Sequence, residues 1–331
     1  MSFKKLKESL TEKKLSPEEQ QIKIEETRKI IGPIADKFPT ICSDASVLRF
    51  LKARNYNTMK AAKMLRGTLK WRLEFKPEKI QWDDVAKEAL KGRLYRADYL
   101  DKQGRVVFVI KAGLQNPSLA MVQIKYLVYC LENAISNPLS TQEQMVWLID
   151  FQGWSTSCIS VKVTRDTAQV LQNHYPERLG LAVLYNPPKL FESFWTMVKP
   201  FLEPKTYKKV IFAYPDHPKS RVMMEDLFDM ENLEACFGGN NKVGMNYEAY
   251  GKKMRENDKR VSGLIDSGGS SPSFFSMDAN ETLHSTNGSE DGSSGGEATY
   301  SNFDEDDDII QTGTPRSEYE PKNEVHPDKV E

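Results

Sequence analysis

At 331 residues, with 39% hydrophobic and 10% aromatic residues, the chain has enough apolar material to bury a core of one large domain or two ordinary ones. Its formal net charge of −1 hides a division, since residues 1–260 hold 43 Lys and Arg against 31 Asp and Glu while residues 261–331 hold 3 against 16. The basic body suits an anionic partner such as a phospholipid headgroup, a membrane surface or nucleic acid, with ordinary solvated Lys and Arg as the plainer account.

In chain order, Ser16, Pro17, Glu18 and Glu19 supply an N-cap, a proline at the first helical position and an acidic first turn, and Gly32-Pro33 closes the helix that follows. Met59, Ala62, Leu65, Leu69 and Leu73 recur at spacings of three and four, which predicts an amphipathic helix over 57–75 with that stripe turned inward. A small helical bundle over 1–90 is therefore expected first.

From Leu94 the rhythm changes. The runs "LYRADY" and "RVVFVI" flank a "DKQG" turn, and "MVWLIDF", "LGLAVLYN" and "KKVIFAY" follow, separated by the helical stretches 118–136, 160–175 and an apolar one around 189–202. Strands alternating with helices predict an α/β domain with a mostly parallel sheet, placed here at 91–255. The last of those helical stretches is apolar nearly all round yet only about three turns long, so it needs apolar company on more than one side. Residues 256–331, rich in Gly, Ser, Asn and Asp, predict a disordered acidic tail.

Motifs for chemistry are missing. The sequence has no H-E-x-x-H, G-x-S-x-G, P-loop or dinucleotide fingerprint, and its four histidines include two in the tail. Asp150 ends a strand, where α/β enzymes keep carboxylates, but an Asp there more often caps the next turn. Cys42, Cys130, Cys158 and Cys236 are far apart without C-x-x-C spacing, which fits a reducing cytosol and neither a zinc site nor a disulfide framework. The start "MSFKKLKESLTEKK" has no apolar h-region, and no stretch reaches the roughly 18 apolar residues of a spanning helix. Aromatic residues do not interleave with Arg and Lys, so nucleic acid is not expected as a partner.

The stretch "YPERLGLAVLYNPPKLFESFWTMVKPFLEPKTYKKVIF" resembles the core signature of the CRAL-TRIO lipid-binding domain, in its phosphatidylinositol-transfer branch. The likeness extends upstream through "VLRFLKARNYNTMKAAKML" and downstream to the "FGG" at Phe237, about 200 residues in the family's order. It implies an N-terminal helical bundle on an α/β domain whose sheet floors an apolar lipid pocket closed by a mobile gate helix. Residues matching the family's inositol-phosphate site are Arg54, Glu177, Thr206 and Lys209, with Arg178 beside them in support; the gate and acyl contacts fall to Phe191, Phe194, Trp195, Val198 and Phe201. Read without the family, Glu177-Arg178 is an ordinary surface pair, Lys209 a solvated residue at a strand entrance, Arg54 a cation at a helix end and the gate a buried core helix.

Departures from the family pattern are Asn55 where a Lys often stands, Val106 and Glu234 where Pro is usual, and Met145 and Trp147 where phosphatidylcholine binders carry small hydroxyl residues. These put phosphatidylcholine in doubt as a second ligand. The resemblance thus implies a monomeric, non-catalytic, cytosolic carrier that holds one phospholipid, phosphatidylinositol or a related one, as ligand, needs no cofactor or metal, and touches anionic membranes transiently. A carrier for a sterol or isoprenoid, or a non-catalytic interaction module, are the alternatives.

Overall fold

The computed structural model describes residues 15–266, apart from 138, 139, 141 and 159, and these all fall within one compact unit. The tail expected from residue 256 lies, beyond Asp266, outside the described residues.

Helix α1 (Pro17–Ile31) starts on the expected signal: the Ser16 hydroxyl accepts from the Glu19 N–H, and the Glu19 carboxylate accepts from the Ser16 N–H in return. A short α2 (Ile34–Lys37) leads to α3 (Asp44–Ala53) and α4 (Thr58–Phe75), and Ile24, Val47, Phe50, Leu51, Ala61, Leu65 and Leu69 close a core among these helices. Met59 does not join the inward stripe. It is exposed, because it stands in the first turn ahead of the layer that Ala61, Ala62 and Leu65 fill.

Helix α5 (Trp82–Ala89) packs Trp82, Val85 and Ala89 into the same cluster as the strands, so residue 90 is not a break in packing. Among the described residues five strands form one sheet in the order β1 (Leu94–Leu100), β2 (Val106–Lys111), β3 (Met145–Asp150), β4 (Leu179–Tyr185), β5 (Val210–Ala213). Only β1 runs antiparallel, through a turn in which Asp101 accepts from the N–H groups of Gln103 and Arg105 and Gly104 takes φ 78°. The parallel strands are joined through α6 (Ala120–Ile135), α7 (Val161–His174) and α8 (Lys189–Val198), as the alternating pattern predicted. After α8 come a 3₁₀ turn (Lys199–Phe201) and the single-turn α9 (Pro204–Tyr207); after β5 come α10 (Pro218–Leu227) and α11 (Tyr247–Asp266).

The start of the tail needs correction. Helix α11 runs past residue 255 because Tyr250 and Met254 are buried in the sheet's cluster and Asp258 accepts from both the Trp82 N–H and the Tyr129 hydroxyl. Ahead of it, a Cβ on Gly239 would fall 2.0 Å from the Leu233 carbonyl oxygen, so the second glycine of "FGG" is required by a close backbone approach.

Register then determines what the sheet offers. Phe108, Trp147, Ala182 and Val210 pair in one row across β2 to β5, and Ile110, Ile149, Leu184 and Phe212 in the next. Because side chains alternate along a strand, both rows project from the same face. Across β2 to β5 the face is apolar; on β1 the buried Arg96 pairs with Phe108 in the first row.

Candidate functional site

Helix α8 lies against that face. Phe191 is buried, with its ring 4.4 Å from Phe151 and 5.5 Å from Trp154, and Trp195 meets Phe212 edge to face at 5.9 Å. Leu184 is buried beneath them, while Ile149, Val210, Phe212, Phe194 and Trp195 are only half-buried. Leu190 and Met197, on the same helix, are 59% and 57% exposed. The helix is therefore covered on one side, whereas its composition predicted apolar company on more than one. Val198 is half-buried near its end, and Phe201 falls in the 3₁₀ turn, with the Arg165 guanidinium 5.9 Å from its ring.

Where the parallel strands begin, the charged residues collect. Lys209, just before β5, donates from Nζ to Glu177 Oε2 at 3.1 Å, and both side chains are largely shielded, at 13% and 16% exposure. Glu177 precedes β4 with φ 59°, a left-handed backbone that costs an L-residue about 1–2 kcal/mol. The Lys209 N–H donates to the Thr206 carbonyl at 3.0 Å and the Thr206 N–H to that of Glu203 at 2.8 Å, so α9 hangs directly on the start of β5. Glu203 Oε1 in turn pairs with Arg54 Nη1 at 2.9 Å, and Lys205 Nζ donates to the Lys52 carbonyl at the end of α3.

Four of the five headgroup candidates, Arg54, Glu177, Thr206 and Lys209, are thus linked by consecutive contacts. Arg178 is not among them. Its guanidinium turns to the Glu143 carbonyl at 3.0 Å, beside Arg49; burial, and then the Arg49 charge, pull its pKa down to about 10.

Two residues of this region escaped the sequence reading. Glu203 neutralises Arg54, and its place before a proline in "FLEPKTYKK" was the available signal. Gln172 of α7 accepts from the Glu203 N–H at 2.6 Å and donates to the Phe201 carbonyl at 2.8 Å, fastening the turn after α8; a Gln inside a helical pattern gives no such hint.

The departures from the family pattern also have places. Trp147 packs edge to face on Phe108 at 6.0 Å, and Met145 is buried at the strand entrance, so bulk stands where hydroxyls would be needed. Val106 is core, and Glu234 is buried with the hydroxyls of Tyr95 and Tyr99 donating to it. Asp150 accepts from the Gln152 N–H at 2.9 Å, the turn-capping bond read from its position. Among the described residues no group of three His, Cys, Asp or Glu side chains could hold a metal ion, and no helix is long and apolar enough to cross a membrane.

Comparison with known proteins agrees with this architecture. The family model of the CRAL/TRIO domain matches residues 90–239. A phosphatidylinositol transfer protein, PDR17 of Saccharomyces cerevisiae, is 31% identical over 235 residues, covering 67% of this chain and 65% of the relative. The SEC14 cytosolic factor of Candida glabrata is 30% identical over 219 residues, 60% of this chain and 72% of that one. A CRAL-TRIO domain-containing protein of Schizosaccharomyces pombe is 31% identical over 211 residues. This chain spans only 20% of the length of that last relative and just under two thirds of PDR17. Among solved structures, the crystal structure of Sfh5 superposes with a TM-score of 0.59 at 17% identity, over 76% of this chain and 99% of that one, which shows a shared fold. By sequence match and by fold alike, this chain belongs to the CRAL/TRIO domain family.

Proposed function

We propose that this protein binds a single phospholipid, phosphatidylinositol, and carries it between membranes or presents it at one. The observation that carries the reading is the adjacency of two unlike surfaces on one sheet: the linked set Arg54, Glu203, Thr206, Lys209 and Glu177 where the strands begin, and the half-buried apolar rows beneath α8. The names of the PDR17 and SEC14 relatives support it.

Burying hydrocarbon is worth roughly 0.8 kcal/mol per methylene, so a diacyl lipid leaves a bilayer only for a comparable apolar interior. Bilayer and protein nearly cancel in that respect, and polar contacts decide which headgroup is kept. Lys209 and Arg54 offer charge-assisted bonds to a phosphate, Thr206 a hydroxyl, and Glu177 an acceptor for inositol hydroxyls. In the free protein Lys209 and Arg54 are held by Glu177 and Glu203, so a ligand need only exchange partners. A sterol would use none of these groups, and Met145 and Trp147 leave phosphatidylcholine without hydroxyl donors.

On this reading α8 is the gate. It lifts from the sheet to admit the acyl chains, and Leu190 and Met197 touch the membrane surface as it does so. The protein works as a monomer in the cytosol, meets anionic membranes transiently and makes or breaks no covalent bond. Mass spectrometry of lipid extracted from the purified protein, with vesicle transfer assays using phosphatidylinositol, phosphatidylcholine and sterol donors, tests it. Phosphatidylinositol should be both extracted and transferred; a sterol, or no lipid at all, would overturn the reading.

A further inference from the structure

Arg178 leads to a different place. With Arg49 it lines a cavity of about 310 Å³ formed also by Thr40, Ser43, Gln142 and Glu143, between the end of α2, the start of α3 and the entrances of β3 and β4. That volume is at the small end of ordinary ligand sites.

We propose that this cavity is a second binding site, separate from the Lys209 region, and that it takes a phosphate-class oxyanion. Two guanidiniums converge on one acidic residue: Arg49 Nη1 pairs with Glu143 Oε1 at 2.5 Å, and Arg178 Nη1 donates to the Glu143 backbone carbonyl at 3.0 Å. The carbonyl is neutral, so a single carboxylate faces two full positive charges. Of the nearby acids, Asp44 pairs with Arg28 at 2.6 Å and Glu132 with Arg72 at 2.7 Å; the Glu132 charge is felt at Arg178 but makes no ion-pair contact with it. Among the described residues only Glu143 therefore stands within ion-pair distance of either guanidinium, and an oxyanion would meet both, which their planar forks suit by paired hydrogen bonds.

Exposure shows which group would give way. The Arg49 side chain is only 13% exposed while that of Glu143 is 54% exposed, so Glu143 can turn out to solvent as the anion enters and the arginine stays in place. Ser43 adds a hydroxyl that makes no capping bond at the start of α3, and Thr40 a second. The occupant is a free phosphate or the phosphomonoester of a lipid headgroup; the chemistry of recognition is the same.

The test is calorimetric titration of the full chain with inorganic phosphate and, separately, with inositol 1,4-bisphosphate, each against chloride at matched ionic strength so that screening is constant. We expect saturable binding for at least one probe, measured in the Lys209→Gln background so that the headgroup region proposed above does not contribute, and weakened tenfold or more by adding Arg178→Gln or Arg49→Gln. Glu143→Gln should tighten it severalfold, a gain that misfolding cannot mimic and that carries the test even if an arginine variant fails to fold. Binding of both probes assigns the site to phosphate at large, and binding of the inositol probe alone to a lipid headgroup. Absence of saturable binding by either, or binding that ignores Glu143→Gln and both arginine variants, overturns the proposal. Because Lys209→Gln alters only the other region, failure here is distinct from failure of the transfer reading.

Discussion

The Lys209 ammonium and the Glu177 carboxylate meet at 3.1 Å in a place shielded from most solvent. Removing either alone leaves the other's charge poorly solvated. Lys209→Ala and Glu177→Ala should therefore each cost about 1–3 kcal/mol, while the double variant costs less than their sum. All three should lose phosphatidylinositol transfer. Urea unfolding of the four proteins gives the coupling energy; strictly additive losses would show that the pair is not an energetic unit.

Glu203 competes with a ligand for Arg54. Glu203→Gln removes that competition across a partly exposed pair worth at most about 1 kcal/mol to folding. Retention of phosphatidylinositol should rise with little change in unfolding midpoint, and Arg54→Gln should reverse the gain. The readout is lipid occupancy after dilution into acceptor vesicles.

Trp195 sits at the moving face on the proposed reading, stacked edge-on to Phe212 and half-buried. Adding phosphatidylinositol vesicles should shift the protein's fluorescence, and Trp195→Phe should remove most of that shift. Polar replacements at Phe194 and Trp195 should slow exchange more than they lower occupancy at equilibrium. A shift that survives Trp195→Phe intact would mean that α8 stays put.

Half-buried His174 lies flat on Trp71 at 4.1 Å with Thr68 Oγ1 3.3 Å from Nδ1, and loss of solvent, helped by the Arg72 charge, brings its pKa down from 6.5 to about 3. Below about 6.5 the unfolded chain binds a proton that the folded chain refuses. This group therefore leaves stability untouched above pH 6.5 and erodes it by up to about 1.4 kcal/mol per unit as pH falls toward 3. Comparing unfolding of wild type and His174→Gln between pH 7 and pH 5 isolates the effect, and the variant should show the shallower acid slope.

The acidic tail carries the opposite sign to the body, with 16 Asp and Glu against 3 Lys and Arg over 261–331. A covalently attached segment of that charge should compete with anionic lipid for basic surface. Truncation after Asp266, which spares α11, should raise sedimentation with anionic vesicles, most at low salt and less near physiological ionic strength, where screening acts within about 8 Å. Equal binding at every salt concentration would leave the tail without this role.

Strands such as "RVVFVI" were legible because burial on both faces writes a continuous apolar run, and α1 because its capping box is local chemistry. The parting of Glu177 from Arg178 was not legible. Neighbours in sequence look like one site until the left-handed turn at Glu177 sends the two side chains to different partners. Nor was α11 legible past residue 255: its hold on the core is a thin stripe through Tyr250 and Met254 plus Asp258 on Trp82, and its other residues are as polar as the tail beyond. Glu203 stayed hidden because pairing with Arg54 spans 149 positions, which no local pattern encodes.

The rows that register draws across the sheet give the floor a direction. Across β2 to β5, charge collects at the end where the parallel strands begin, then comes the row of Phe108, Trp147, Ala182 and Val210, and then the row of Ile110, Ile149, Leu184 and Phe212 under the aromatic helix. Ala182 is the smallest side chain of the first row, between Trp147 and Val210 and just inside the charged end. On the proposed reading a ligand with a head and two tails fits such a gradient one way round, so its departure would be ordered: the tails would come free as α8 lifts, and the head would be the last part to let go.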